Sequence, residues 1–434
     1  MSTMFRSLSQ RNYLIWFIGS LASNIGTWMQ RTAQSWVVLT ELTDNDATAI
    51  GIVMALQFGP QLVLAPFAGL LADRMPKRRL LFMTQVALLM LALGLGVLLT
   101  LGIATLWHVY GFALALGVVA AIDAPARQSF VSEIVGMDLL SNAVALNSAS
   151  FNGARLIGPA IAGVLTMLIG AGPVIILNAL TFVVQIIGIL MMRADELHPA
   201  PAAPRGRGQL REGFRYVSKR PDIMAVLVGI FLLGTFGFNF PLFLGTMATT
   251  EFQVGADAFG LLNSVLAIGS LTGALLSARR ERAKMRVFVT SSLLFGVSML
   301  LAAAAPNVWL FGVANIAVGF FSLTAMTTAN ALVQGAAEPQ MRGRVMSLYM
   351  AIFLGGTPLG APIIGYLIEL TGPRVGIVIG AVSGLLAAVC TFLILRSGGI
   401  YTWRDAREVW NPNAPATRAI PVIEATDPRA DEQN

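Results

Sequence analysis

The chain is 434 residues long, 56% hydrophobic and only 12% charged, against roughly 25% charged in an ordinary soluble domain, which excludes a water-soluble globule. Its net charge of +7 would suit a nucleic-acid binder, but the basic residues stand in short loops between apolar runs and read as a topology signal instead. One cysteine, Cys390, and two histidines, His108 and His198, exclude a disulfide framework and a metal cluster, so neither a metal nor a resident cofactor is expected.

A bilayer core of about 30 Å takes roughly 20 apolar residues per helix, so a chain of this length supplies about twelve spans. The first run follows Arg6 and Arg11. It starts near Tyr13 and continues past Trp36 to Leu39 without a cleavage site, too long for the core of a signal peptide, and is read as a retained helix, Asn12–Thr40. Further runs lie at Ala47–Leu71, Leu80–Ile103, Trp107–Ala126, Leu139–Ile169 and Pro173–Met192. A connection rich in proline and arginine follows, with an amphipathic segment around Leu210–Val217. The second set is Ile223–Met247, Ala256–Ala278, Val287–Ala305, Val308–Leu332, Val345–Leu370 and Val375–Leu395.

Alternate connections carry Arg74, Lys77, Arg78 and Arg79, then Arg127, then Arg193 through Arg220, then Arg279 to Arg286, then Arg342 and Arg344. The intervening ones carry Glu41, Asp44, Asp46, Glu251 and Asp257, with Arg374 as the exception. By the positive-inside rule both termini and all the basic loops are cytoplasmic. The expected organisation is an all-α membrane protein of twelve transmembrane helices in two pseudo-symmetric six-helix bundles, residues 1–192 and 223–396. A cytoplasmic linker, 193–222, lies on the anionic leaflet, and a largely disordered cytoplasmic tail occupies 397–434. A weak internal repeat supports the split. Phe151, Gly153, Gly158, Gly163 and Leu165 fall in register on Phe353, Gly355, Gly360, Gly365 and Leu367, the kind of repeat found where two bundles rock about a central site.

The segment Gly69-Leu-Leu-Ala-Asp73-Arg74-Met-Pro-Lys77-Arg78-Arg79 joins the second and third helices. It resembles the cytoplasmic loop signature of the major facilitator superfamily, departing from it at Pro76, where a glycine is usual. The corresponding stretch in the second half, Gly273 to Arg280, keeps the glycine and the basic charge but has no acid. The resemblance implies that Asp73 and Arg74 stabilise an outward-facing state through a charge network. For Lys77, Arg78 and Arg79, a gating part and a plain anchoring role at the interface stand side by side.

Asp123-Ala-Pro-Ala-Arg127, Leu146 to Arg155 and Met341-Arg342-Gly-Arg344 resemble a narrower branch, the one containing the enterobactin exporter and related macrolide and drug exporters. Asp123 and Arg127, four apart on one helix face, can pair locally; a proton role for Asp123 is the alternative. Gly158-Pro159-Ala-Ile-Ala162-Gly163 resembles the fifth-helix signature associated with export, with Ala162 where glycine is frequent. Its small residues permit close packing, and the proline removes a backbone hydrogen bond where the halves move.

A polar stripe, Ser20, Asn24, Thr27, Arg31 and Gln34 with Gln30 alongside, runs up the first helix, and Ser148, Asn152 and Arg155 form its counterpart in the fifth. Facing lipid it would be costly, so it is expected to line a cavity or the opposing bundle. Asn239 and Asn263 are further cavity candidates, with interhelical hydrogen bonding as the other reading of each. Arg31 and Arg155 are intramembrane cations with no acid near mid-depth, each costing at least about 2.5 kcal/mol to insert. They point to an electropositive cavity for carboxylate, phenolate or catecholate groups, unless Arg155 is a structural part of its motif and Arg31 reaches outward.

The resulting expectation is an exporter of a small amphipathic molecule, a siderophore, antibiotic or metabolite, in the bacterial inner membrane. It works as a monomer by alternating access; energy from the proton gradient is implied by the resemblance alone. An importer of a polar solute and a non-transporting receptor on the same scaffold are the competing readings. No nucleophile-base arrangement or phosphate loop suggests an enzyme.

Overall fold

The computed structural model describes residues 3–198, 209–278, 280, 283–338 and 341–397, and every regular element among them is helical. Besides short 3-10 turns at Thr3–Ser9 and Ala194–Glu196, in chain order these are α1 (Arg11–Thr40), α2 (Ala47–Arg74), α3 (Lys77–Thr100), α4 (Leu106–Gly136), α5 (Asp138–Ile169) and α6 (Ala171–Met191). A short α7 (Gln209–Val217) precedes α8 (Pro221–Glu251), α9 (Ala256–Ala278), α10 (Met285–Ala303), α11 (Val308–Ala336), α12 (Arg342–Thr371) and α13 (Pro373–Ser397). Eleven of these helices are long and apolar enough to cross a membrane. The twelfth, α1, has the length, since 30 residues extend roughly 45 Å, but its polar stripe lowers its apolar content. The chain is thus an all-helical multi-pass membrane protein, with the amphipathic α7 where the sequence places it. The tail over 398–434 and residues 199–208 of the linker lie outside the described residues.

Two runs differ from their sequence reading. The fourth continues past Ala126 to Gly136, so Arg127 stands inside a helix rather than in a loop. Gly136, with φ 66°, then turns the chain into α5, a left-handed conformation that glycine adopts without a Cβ clash. The seventh span is broken. It is α-helical over Pro221–Leu232, wider over Leu233–Gly237, and restarts at Phe240–Thr246 with Pro241 in its first turn. Proline has no N–H and crowds the carbonyl four residues back, so the ladder is interrupted there. Asn239 Nδ2 donates to Thr235 O at 2.8 Å and occupies one acceptor at the break, as buried backbone in a bilayer requires.

The repeat is visible in the caps. In the register that sets Phe151 on Phe353, Gly170 falls on Gly372, and both end a helix with positive φ, 83° and 95°. Within the first six helices α1 packs on α5 and α6, α2 on α4, and α3 on α6; within the second, α9 packs on α11 and α10 on both α11 and α13. The two sets meet along α2–α12 and α5–α9, and through Phe240–Thr246 against α1 and α2.

Those seams are built on glycine at the end carrying the acidic connections. A Cβ added to Gly365 would lie 2.5 Å from the carbonyl oxygen of Ala47, and one on Gly163 would lie 2.7 Å from that of Ala256. Gly260 likewise stands against the carbonyl of Pro159, and Gly51 against that of Ala361. Thr48 Oγ1 donates to Glu369 Oε2 at 2.6 Å across the same gap. At the basic end α7 is tied to the second set, where Arg344 meets Glu212 at 2.6 Å and Tyr216 donates to Glu338 at 3.4 Å.

Candidate functional site

The helices that carry both seams also carry the arginines. Arg155 lies near the middle of α5, and Gly158, one turn on, lets α5 approach α1 closely; a Cβ there would come 2.7 Å from Cβ of Trp28. That approach sets Arg155 against the Trp28 ring, 5.4 Å from its centroid, while Arg31 reaches the same ring at 5.1 Å. Arg31 also faces the Phe58 ring on α2 at 5.3 Å, and Phe151 meets Trp28 edge-on at 5.9 Å. The spacings Trp28/Arg31 and Phe151/Arg155 each keep a ring and a cation on one helix face.

Among the described residues neither guanidinium forms a salt bridge or a hydrogen bond, and Arg31 Nε is buried without a partner. A cation–π contact contributes about 0.5–2 kcal/mol against an insertion cost of at least about 2.5 kcal/mol per arginine, and it leaves the positive charge itself unneutralised. Two half-buried charges facing aromatic rings are therefore incompletely compensated by the protein, an arrangement suited to an aromatic or extended anion.

The rest of the stripe divides. Asn24 and Thr27 are half-buried, and Thr27 hydrogen-bonds back to Ser23 O at 2.8 Å. Gln30 is turned into the first bundle, where Asn178 Nδ2 on α6 donates to it at 2.5 Å. Gln34 accepts from Gln57 at 3.4 Å, leaving its own Nε2 buried and unpartnered. Ser148 is exposed and Asn152 half-buried, with Asn152 Nδ2 donating to Ser148 O at 2.8 Å. Asn239 is fully buried at the break in α8, its Oδ1 without a donor, and Asn263 bonds back to Phe259 O at 2.9 Å. Of these cavity candidates, Arg31 and Arg155 are the two that come together, around the Trp28 ring.

The candidate gating residues also separate. Of Gly69 and Asp73 only the helical backbone is described, and the Asp73 carboxylate lies outside the described residues. Arg74 and Arg342 are exposed, and Arg344 holds α7. Lys77 pairs with Glu133 of α4 at 2.5 Å, a partner the sequence reading missed because Glu133 comes close to α3 only once α4 extends past Ala126. Arg78 caps α6, donating to the carbonyls of Ile189 and Leu190, both at 3.0 Å.

Asp123 and Arg127 do pair. Asp123 also accepts from Thr84 at 2.6 Å and Gln85 at 2.9 Å on α3, while Arg127 reaches Ser23 of α1 at 3.4 Å and lies over Trp16. This network joins α1, α3 and α4 inside one bundle. Pro159 and Gly163 belong to the α5–α9 seam. Outside the spans, hydrogen bonds to Asp222 push the Arg220 guanidinium up from its ordinary value.

A family described as transmembrane secretion effector matches residues 2–413 of the chain. The staphyloferrin A transporter of Staphylococcus aureus (strain NCTC 8325 / PS 47) is 25% identical over 359 residues, 82% of this chain and 89% of that protein. The enterobactin exporter EntS of Escherichia coli O1:K1 / APEC is 24% identical over 377 residues, 82% of this chain and 86% of its own. Among solved structures, an inward-facing, unoccupied bacterial homolog of the human lysosomal transporter Spinster aligns with TM-score 0.70 at 15% identity, over 92% of this chain and 98% of that one. A D-xylose-proton symporter aligns at 0.68 and 12% identity, over 88% and 97%. At these identities the structural likenesses show the fold alone.

Proposed function

Because the chain belongs to the transmembrane secretion effector family of the major facilitator superfamily, we propose that it exports an amphipathic anion, such as a siderophore, across the bacterial inner membrane by alternating access. The observation that carries this reading is the Arg31–Trp28–Arg155 cluster, two cations on one ring with no carboxylate partner among the described residues. Relatives that carry staphyloferrin A and enterobactin support a siderophore-like cargo. The Gly158-Pro159 stretch supports export. The basic loops favour a cytoplasmic location for both termini, which makes the glycine seams the outer closure and this conformation inward-facing.

The test is transport in proteoliposomes and accumulation in a deletion strain, across siderophores and antibiotics of differing charge. Arg31→Gln and Arg155→Gln are expected to lose anionic substrates at least about tenfold, the loss of one charge-assisted contact, and to spare neutral ones. Variants that carry both kinds as well as the parent sink the proposal. The resemblance also implies proton antiport; flux indifferent to an imposed pH gradient removes that coupling.

A further inference from the structure

The charge count of the site bears on what drives the cycle. The cluster presents two guanidiniums, and the buried acids among the described residues are all engaged elsewhere. Asp123 is held by Arg127, Thr84 and Gln85, Glu133 by Lys77, and Asp222 by Arg220. Each of those pairs is neutral as a unit and lies toward the basic end or at a helix terminus. Glu369, the acid across the α2–α12 seam, is at the opposite end with Thr48. No carboxylate among the described residues is therefore placed to exchange a proton for the substrate at Arg31 and Arg155, and the empty site carries two positive charges.

We infer that the transported species carries at least two negative charges, and that the membrane potential acting on those charges drives export in place of proton exchange. This rests on the anion-export reading above. A dianion neutralises both guanidiniums, so the loaded carrier crosses the field without net charge from the site. The emptied carrier returns with two positive charges toward a negative interior, and the potential favours that step. One turnover moves two negative charges outward. A monoanion leaves one guanidinium uncompensated in the bilayer in the loaded state, and a neutral solute leaves two, so the site selects by charge number as well as by the aromatic surface of Trp28, Phe58 and Phe151. Each elementary charge moved through the field shifts the steady-state substrate ratio about tenfold for every ~60 mV.

The experiment uses the full chain and three probes sharing one ring, whose charges do not depend on pH near neutrality: benzenesulfonamide, benzenesulfonate and benzene-1,3-disulfonate. Calorimetry in detergent is expected to rank the disulfonate at least about tenfold tighter than the monosulfonate, the value of one further charge-assisted pair, with the sulfonamide weakest. In liposomes at equal pH, with potassium diffusion potentials set by valinomycin, the disulfonate ratio is expected to change about 100-fold for ~60 mV and to ignore a pH gradient. The limiting ratio is fixed by the charge on the solute, so Arg155→Gln should leave it at about 100-fold while binding the disulfonate at least about tenfold more weakly, and Arg155→Lys, which keeps the charge, should recover part of that affinity. Melting temperatures of both variants confirm that they fold. Equal affinity for the two sulfonates, a disulfonate slope of tenfold in the parent, or a ratio that follows the pH gradient overturns the two-charge inference while leaving an anion site. Failure of both anions to bind overturns the anion-site reading itself.

Discussion

Trp28 is the residue on which the candidate site depends, because both guanidiniums face its ring. Replacing it by alanine removes two cation–π contacts of about 0.5–2 kcal/mol each and leaves both cations to adopt other rotamers. Trp28→Ala is expected to weaken anion binding at least about fivefold, with Trp28→Phe intermediate; calorimetry with benzene-1,3-disulfonate reads this directly, and unchanged affinity would remove Trp28 from the site. Asp123 is the opposite case, a buried acid whose partners are all within one bundle. Asp123→Ala leaves Arg127 charged without its carboxylate and is expected to cost roughly 3 kcal/mol. Asp123→Asn keeps an acceptor for Thr84 and Gln85 and should cost less. Thermal unfolding in detergent orders the two, and a parent-like melting temperature for the alanine variant would contradict the structural role.

At the scale of elements, glycine decides where helices of opposite bundles touch. The carbonyl oxygens of Ala47 and Ala256 lie 2.5 and 2.7 Å from where a Cβ on Gly365 and Gly163 would stand, so Gly365→Val wedges the α2–α12 seam at backbone rather than at a yielding side chain. A Cys390→Ser background with one reporter cysteine at the acidic end is expected to label faster in Gly365→Val than in its parent; equal labelling rates would show that the seam does not depend on that contact. Much of the element layer was readable in advance, because an apolar run long enough for a bilayer has few alternatives and basic residues punctuate the runs. The observed bounds of α9 are those of the sequence run itself. The break in α8 was not readable, because a proline in an apolar run is compatible with a kinked helix as well as an interrupted one. Pairing was the other hidden layer. Lys77 with Glu133 and Gln30 with Asn178 bring together residues far apart in sequence, and periodicity along one helix carries no information about which neighbour a polar side chain meets. The arginines stood out as intramembrane cations, but the ring between them became visible only through the approach of α5 to α1 at Gly158.

For the whole molecule, the seams impose a requirement on any alternating-access cycle. The acidic-loop end is closed by glycine–carbonyl contacts on both α2–α12 and α5–α9, together with the Thr48–Glu369 hydrogen bond, and opening that end has to separate them. At the basic end, by contrast, α7 is tied to the second set, through Arg344–Glu212 and Tyr216–Glu338. Exposed pairs of this sort contribute only about 0–1 kcal/mol, so α7 reads as a tether that leaves the bundles free to rock. A covalent bond across the seam should therefore stop transport, whereas loss of the α7 pair should not. Thr48→Cys/Glu369→Cys in the Cys390→Ser background, joined by a short reducible bis-thiol reagent, is expected to lose at least about tenfold in flux, because the closed state gains a bond that rocking cannot break. Reduction should restore the flux, and each single-cysteine variant treated alike should transport normally. Glu212→Ala is expected to stay within twofold of the parent, in keeping with the small worth of an exposed pair. Full flux in the cross-linked protein would mean that substrate leaves without separation of α2 from α12, and the acidic-loop end would then not be the gate.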